Sequence, residues 1–587
     1  MMARRTMVLV LLSVTLVGRT TFGASDGDAE AARGLALLEA WQLAPAKTLA
    51  QELLARSPEE PTSWYLAGRV QHERGEHLSA LRLLAAAAEG GIEPHGELFE
   101  RVRGSAEYAV DFAELETAHF RLRYLDKDIV LASYAGPVLE AAYAHIGGAL
   151  GLLPAERTDK IVVEIYPDAR GLAAATGLTV QEIDTSGTIA VCKFHRLMIT
   201  SPLATASGYD WADTLAHELT HLIISQKSHN GVPIWLHEGI AKYYESLWRG
   251  EAGTALAPYS ERLLAQAVKR NKLITFAQMH PSMAKLPSQE DAALAFAEVF
   301  TVIEYLRAQY GVGSIPKLLD LIGEGRSVEA SLVAVFGHDL SRLETAWRRY
   351  LKRRKFRDVP GAAPRPIRLV DAEPVGNTPH LETIEDKDVH KHARLGELLE
   401  LREHPEAAVR EYEQAYARAG ARYPTLLYRL IGAYLETQQA AAARKVVTVA
   451  LGAHPDDGDL KMLAGRVALL GQDLPAAKSF FEAARLQNPY NPELHEALVA
   501  LYTREGESAK AAEEQRWLSL CRTPRPRRDR PRIDAPDGTP SVSLTSVPWG
   551  KVRLDGGPPA VLPLWREPVA AGRHVVELLR PDGTSKA

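Results

Sequence analysis

The fold of this 587-residue chain is decided by Trp211-Ala-Asp-Thr-Leu-Ala-His217-Glu218-Leu-Thr-His221-Leu-Ile-Ile224. The stretch has helical periodicity and contains no Gly or Pro, so it predicts one continuous helix. His217 and His221 stand four positions apart on one face of it, where both imidazoles can aim a nitrogen at the same point. Two neutral imidazoles so placed suit Zn2+, which takes nitrogen and oxygen ligands. Glu218 projects beside them, toward the position that a catalytic metal leaves open. A carboxylate there can take a proton from water and pass it on.

A catalytic zinc needs a third protein ligand. Gly231-Val-Pro-Ile-Trp235-Leu-His-Glu238-Gly239-Ile-Ala241-Lys-Tyr-Tyr-Glu245 follows after a short connection. Pro233 suits the first turn of a second helix folded back on the first. His237 and Glu238 both lie one to two turns into that helix. Neighbours on a helix point about 100° apart, so only one of the two faces the ion. Asp213, one turn before His217, and Glu245, two turns beyond Glu238, are candidates to orient an imidazole from behind. His195 and His229 read as surface or hydrogen-bonded polar residues.

The strands come first. Phe120–Tyr124 alternates as a half-buried strand, Leu131–Leu150 is helical, and Lys160–Tyr166 and Thr188–Thr200 read as extended. Strands ahead of a helical site predict an α+β core over 117–355.

The joint pattern H-E-x-x-H and W-L-x-E-G-x-A resembles the gluzincin metallopeptidases, and within them the bacterial peptidase-MA-like group. The resemblance implies a zincin-like core in which His217, His221 and Glu238 hold Zn2+ and Glu218 is the general base. It implies hydrolysis of a peptide or protein substrate by attack of zinc-activated water. It also makes Thr188–Thr200 the edge strand with which a peptide pairs through its backbone. Sixteen residues separate His221 from Glu238, fewer than in the thermolysin and aminopeptidase branches but within the smaller group. The metzincin pattern fails at Ile224 and Lys227. Relatives commonly place a Tyr where Phe296 stands, and a phenyl ring cannot donate to an oxyanion. Tyr243, Tyr244 and Tyr305 are the alternative donors. No G-x-M-E-N-type amine anchor occurs, which favours an endopeptidase. A second class of function stays open: a cell-envelope scaffold or binding protein whose zinc site is structural or degenerate. Phe296 favours that class, and the intact Glu218 opposes it.

Repeats flank the core. Ala408, Ala442 and Ala476 recur at 34 residues, as do Tyr412, Val446 and Phe480, and Ala415, Val449 and Ala483. This resembles the tetratricopeptide repeat over 386–518. Ala46, Ala50 and Leu53 recur as Ala80, Leu84 and Ala87, which extends the resemblance to 28–110. Such all-α arrays would dock substrate or protein partners. Pro-rich 356–385 and Pro/Arg-rich 519–538 read as linkers. Beyond them, 539–582 alternates and resembles a small all-β PEGA-type module, with Pro548-Trp-Gly-Lys551 in its first turn.

Arg4 and Arg5 precede an apolar run from Met7 to Val17, and small residues follow at 23–25. This predicts a signal peptide over 1–25, hence export to a bacterial periplasm or beyond and no integral span once it is removed. A net charge of −5 gives no footprint for nucleic acid. Cys192 and Cys521 are too few and too far apart for a disulfide framework or a Cys-rich zinc site.

Overall fold

The computed structural model describes residues 26–92, 96–152, 159–250, 256–280, 283, 286–363, 367, 369, 381–523, 541–544, 550–579 and 585–586. The expected leader at 1–25, much of the first linker, the second linker from 524 onward, and Pro548 and Trp549 lie outside them.

Small residues at fixed places let helices approach in pairs. Helices α1 (Asp26–Glu39), α2 (Leu43–Arg56), α3 (Pro61–Glu73), α4 (His77–Glu89) and α5 (Gly96–Ala109) pack in succession. Ala46, Ala50, Leu53, Ala80, Leu84 and Ala87 are all buried, so the 34-residue register read there is the packing register.

Next comes a five-stranded sheet of β1 (Ala113–Glu116), β2 (Phe120–Tyr124), β3 (Ile161–Tyr166), β4 (Ala190–Lys193) and β5 (Arg196–Thr200), in the order β1-β2-β3-β5-β4. The pairs β2/β3 and β3/β5 are parallel, while β1/β2 and β4/β5 are antiparallel. Helix α6 (Ile129–Leu150) makes the first crossover, and α7 (Ala169–Thr176) and α8 (Val180–Ser186) lie between β3 and β4. Asp126–Leu150 is long and apolar enough by length and composition to cross a membrane, yet its Leu131, Leu139 and Ile146 sit in the main core. The expected extended segment Thr188–Thr200 is in fact a hairpin. Phe194 and His195 take φ of 55° and 56° between paired Lys193 and Arg196, the two-residue left-handed turn that matches strand twist. Of its two strands only β4 is therefore at an edge of the sheet.

Strand alternation gives the sheet two different faces. Phe120, Leu122, Ile161, Val163, Ile165, Leu197 and Ile199 join the principal apolar cluster with α9 (Trp211–Ser228). Arg121, Arg123, Glu164 and Arg196 point the other way, under α3 and α4. There Arg121 meets Glu76 at 2.7 Å, and His77 Nε2 lies 2.6 Å from Glu164. Thus the N-terminal helices cover the back of the sheet instead of standing off as a separate flank.

The chain continues through α10 (Ile234–Tyr244), α11 (Pro258–Arg270), α12 (Phe276–Met279), α13 (Gln289–Tyr310), α14 (Ser314–Gly323), α15 (Val328–Phe336) and α16 (Leu340–Arg353). Helix α10 packs against both α9 and α13. A Cβ on Gly239 would lie 2.9 Å from the Val299 carbonyl oxygen, so this glycine sets the approach of α10 to α13.

Eight further helices form four hairpins: α17 (Lys387–Glu400) with α18 (Pro405–Ala419), α19 (Pro424–Glu436) with α20 (Ala440–Ala453), α21 (Gly458–Leu470) with α22 (Leu474–Arg485), and α23 (Pro492–Glu505) with α24 (Ser508–Arg522). The buried equivalents are Ala408/Ala443/Ala477, Tyr412/Val447/Phe481 and Ala415/Ala450/Ala484. The sequence register is therefore one residue early from the second hairpin on, and its Val449 is exposed. A turn at Gly420–Arg422 between α18 and α19 lengthens the first unit. Helix α24 also runs to Arg522, past the expected linker start at 519.

Strands β6 (Ser541–Leu544), β7 (Lys551–Leu554), β8 (Pro559–Val561), β9 (Leu564–Pro568), β10 (Val576–Leu579) and β11 (Ser585–Lys586) follow. Val552, Leu562 and Leu564 share an apolar cluster with Ala46, Leu49, Leu53 and Leu66, and Ser79 Oγ donates to the Pro563 carbonyl at 2.5 Å. The two ends of the described chain thus meet.

Candidate metal centre

Asp210 caps α9, accepting from the Asp213 N–H, and the unbroken run that follows carries His217, Glu218 and His221 into the core. Helix α10 starts after Pro233 and brings Glu238 against them. Among the described residues, His217, His221 and Glu238 form a group whose candidate ligand atoms all lie within 4.8 Å of one another. Nε2 of His217 and Nε2 of His221 lie 3.5 and 3.4 Å from Oε2 of Glu238. A tetrahedral ion with bonds of about 2.1 Å holds its ligand atoms about 3.4 Å apart. Both imidazole Nε2 atoms and both Glu238 oxygens are buried without a hydrogen-bond partner among the described residues. Buried polar atoms are normally satisfied, so two nitrogens and a carboxylate left facing one another fit a cation. The residues present fit a metal.

What stands behind the imidazoles fixes which nitrogen faces forward. His217 Nδ1 is 3.1 Å from Glu245 Oε2, and Lys242 Nζ donates to Glu245 Oε1 at 2.5 Å. A carboxylate only accepts, so His217 carries its proton on Nδ1 and presents Nε2 as a lone pair. His221 Nδ1 is 2.6 Å from His237 Nδ1, and His237 Nε2 is 3.1 Å from Ser225 Oγ. With His221 donating backward from Nδ1, His237 accepts there and donates from Nε2 to Ser225. Burial, reinforced by the neighbouring His221, pushes His237 well below the ordinary histidine range, consistent with this neutral role. His237 therefore backs His221 rather than competing with Glu238.

The predicted residues divide as follows. His217, His221, Glu238 and Glu218 are brought together, with Glu245 behind His217. Asp213 is not directed at an imidazole: it accepts from Trp248 Nε1 at 2.7 Å and pairs with Arg249 at 2.6 Å. Its half-buried place in the first turn commits it to the segment after α10. The alternative donors are engaged elsewhere: Arg307 donates to the Tyr244 hydroxyl, Tyr243 stacks near Phe300, and Tyr305 packs against Tyr310 and Tyr350. Phe296 packs at the edge of the main core.

Glu218 is 0% exposed, and neither carboxylate oxygen has a partner among the described residues. With only protein charges present, burial and then the nearby Glu238 push it up to about 8, against the pull of His217. Burial would raise Glu238 too, but His221 and His217 hold it down to about 2. For His217 burial works downward and is overcome by Glu238 and Glu245, which carry it up to about 9. Without a cation the centre therefore keeps a second proton on His217 and one on Glu218, and a divalent ion would take the place of the His217 proton on Nε2 and favour the ionised Glu218.

Two neighbours went unread in the sequence. Tyr209, buried, donates its hydroxyl to the Thr200 carbonyl, while its N–H donates to Gln487 O at 3.0 Å. Trp211 Nε1 donates to Arg485 O at 3.2 Å. The helical array after α16 is therefore clamped to the start of α9. The bonds to Gln487 and Arg485 link residues more than 270 positions apart, and no local pattern announces them.

No curated protein matches the chain. Among solved structures, one titled "Structure of Naa15/Naa10 bound to HypK-THB" is 14% identical, covering 84% of this chain and 63% of that one at a TM-score of 0.19. So low a score carries no argument about fold, and the chain spans less than two thirds of that structure. Residues 152–353, which contain His217, Glu218, His221, Glu238 and Glu245, match the family model of the Peptidase MA superfamily, and this similarity supports a peptidase-like, typically metal-dependent domain acting on peptides or proteins.

Proposed function

We propose that the chain is a zinc-dependent peptide hydrolase with a gluzincin-like zincin core. The observation that carries this is the facing set of His217 Nε2, His221 Nε2 and Glu238 Oε2 at ligand spacing, with Glu218 beside it. His217, His221 and Glu238 would hold the ion, and Glu245 and the His237–Ser225 pair keep the imidazoles in the ligating tautomer. Zinc, when bound, supplies Lewis acidity toward water and the scissile carbonyl. Glu218 takes the proton of the attacking water and returns it to the leaving amine. Strand β4, the last of the sheet, is the one with which an extended substrate backbone would pair, a mode tolerant of sequence and suited to an endopeptidase.

Around this core the proposal places an exported protein, periplasmic or extracellular, whose tetratricopeptide-like arrays at 28–110 and 386–518 dock substrate or partners. The module at 539–582 is of PEGA type in this reading. A structural zinc would have no use for a fully buried carboxylate at the position of Glu218, which speaks against a pure scaffold. Metal content, measured beside casein and peptide-library cleavage by wild type and Glu218→Gln, tests the proposal. One zinc per chain with no Glu218-dependent cleavage would reject it.

A further inference from the structure

On the back of the sheet, away from the metal centre, cations gather around the β4–β5 turn. The guanidinium of Arg101 on α5 lies 4.9 Å from the Phe194 ring centroid, Lys193 Nζ also 4.9 Å, and the Arg196 guanidinium 6.0 Å. The His72 ring on α3 is 5.2 Å from the same ring. Arg69, one turn before Glu73 on α3, adds a further charge that acts on both His72 and Arg101.

The carboxylates at hand are Glu73, Glu164 and Glu97. Glu164 takes His77 and Arg196 Nη1, and Glu73 takes His195 at 3.0 Å and Arg69 Nη2 at 3.8 Å. Glu97 acts on Arg101 by charge alone. After these pairings Arg196 Nε and Nη2, Arg69 Nε, Arg101 Nε, His72 Nε2, His195 Nε2 and Gln71 Nε2 remain buried without a partner among the described residues. Arg196 and His72 are 0% exposed. The guanidinium and amide N–H groups among them cost stability unless an acceptor meets them. Mutual repulsion is visible as well: burial and then Arg101 push Lys193 down to about 8.

We propose that α3, α5 and the β4–β5 turn enclose a binding site for a small free oxyanion of the phosphate class. Guanidinium N–H groups arriving from three elements match an anion that accepts on several oxygens at once. Of the groups named, Arg101, Lys193 and Phe194 reach the surface while Arg196, His72 and His195 are buried. Guanidinium groups this deeply buried suit a small free ion rather than a side chain of another protein. The site grips the turn that sets strand β4, so occupancy would steady the edge from behind.

Thermal melts of the full chain in sodium phosphate, against sodium chloride of equal ionic strength, test this, with calorimetric titration of inorganic phosphate for affinity. Arg101→Gln and Lys193→Met are the variants, chosen because neither pairs with Glu164. The expected result is a melting point raised by phosphate and not by chloride, with affinity at least about tenfold weaker in each variant that folds. Equal melting points for wild type in the two salts, or a phosphate response retained in full by the variants, would overturn the proposal.

Discussion

Nδ1 of His221 lies 2.6 Å from Nδ1 of His237, and this contact determines the part His237 plays. Two imidazole nitrogens share one proton only if one ring donates and the other accepts. His237→Phe removes the acceptor behind His221 while keeping an aromatic ring of similar bulk. Zinc affinity is expected to fall roughly 10–100-fold, read by competition with a chromophoric chelator. An unchanged affinity would return His237 to a packing role.

Glu245 and Asp213 are both acids near the centre, but only Glu245 touches an imidazole. Glu245→Ala should weaken zinc binding by about tenfold or more. Asp213→Asn should leave zinc binding within about twofold, since its partners are Trp248 and Arg249. The same competition assay separates them, and equal losses would contradict the geometry.

Gly239 is required by contact rather than by backbone conformation. Gly239→Ala places a methyl against the Val299 carbonyl and the Ile303 side chain, at 2.9 and 3.2 Å. Overpacking of this kind costs about 1–3 kcal/mol. Denaturant melts should show the loss, and the altered approach of α10 should lower zinc affinity with it.

Acid should loosen the helices behind the sheet. Burial, with Arg196 adding to it against the pull of Glu164, lowers His77 to about 4 from its ordinary 6.5. Between those values the unfolded chain binds the proton that the folded chain refuses, so stability falls as pH drops from about 6.5 to 4. Glu76 opposes its own burial through Arg121 and Arg123 and sits at about 2, so its contribution is present above 4.5 and is lost as pH falls toward 2. His77→Gln should reduce the first slope, to which the lowered His72 and His237 also contribute, and leave the second. A wild-type slope retained between pH 6.5 and 4 would contradict the assignment.

Much of the metal centre was legible because its geometry is local. The i, i+4 pair His217/His221 needs only a helix, and Glu238 needs only the next helix to fold back. Glu245 could be named from the same periodicity. His237 could not be given its role, since Ser225 and His221 become its neighbours only after α9 and α10 pack. The hairpin within Thr188–Thr200 was hidden because a Phe-His turn lacks the Gly or Asn that usually marks left-handed backbone. Arg121 and Arg123 read as the solvent face of a half-buried strand, and nothing local marks Glu164 and Arg196 as covered. They are covered because the connection from α3 to α4, far upstream in the chain, brings Glu76 and His77 to them. In the later array, one turn at Gly420–Arg422 was enough to move the buried set to Ala443, Val447 and Ala450, one residue on, although Val446 is buried as well.

The central claim is that Glu218 works as the base beside a zinc held by His217, His221 and Glu238. Its most direct test is single-turnover cleavage of a peptide by zinc-loaded wild type and Glu218→Gln, with metal content measured on the same samples. The account predicts one zinc per chain in both and a cleavage rate about 10²–10⁴-fold lower in the variant. Equal rates at equal zinc, or no cleavage by zinc-loaded wild type, would contradict it.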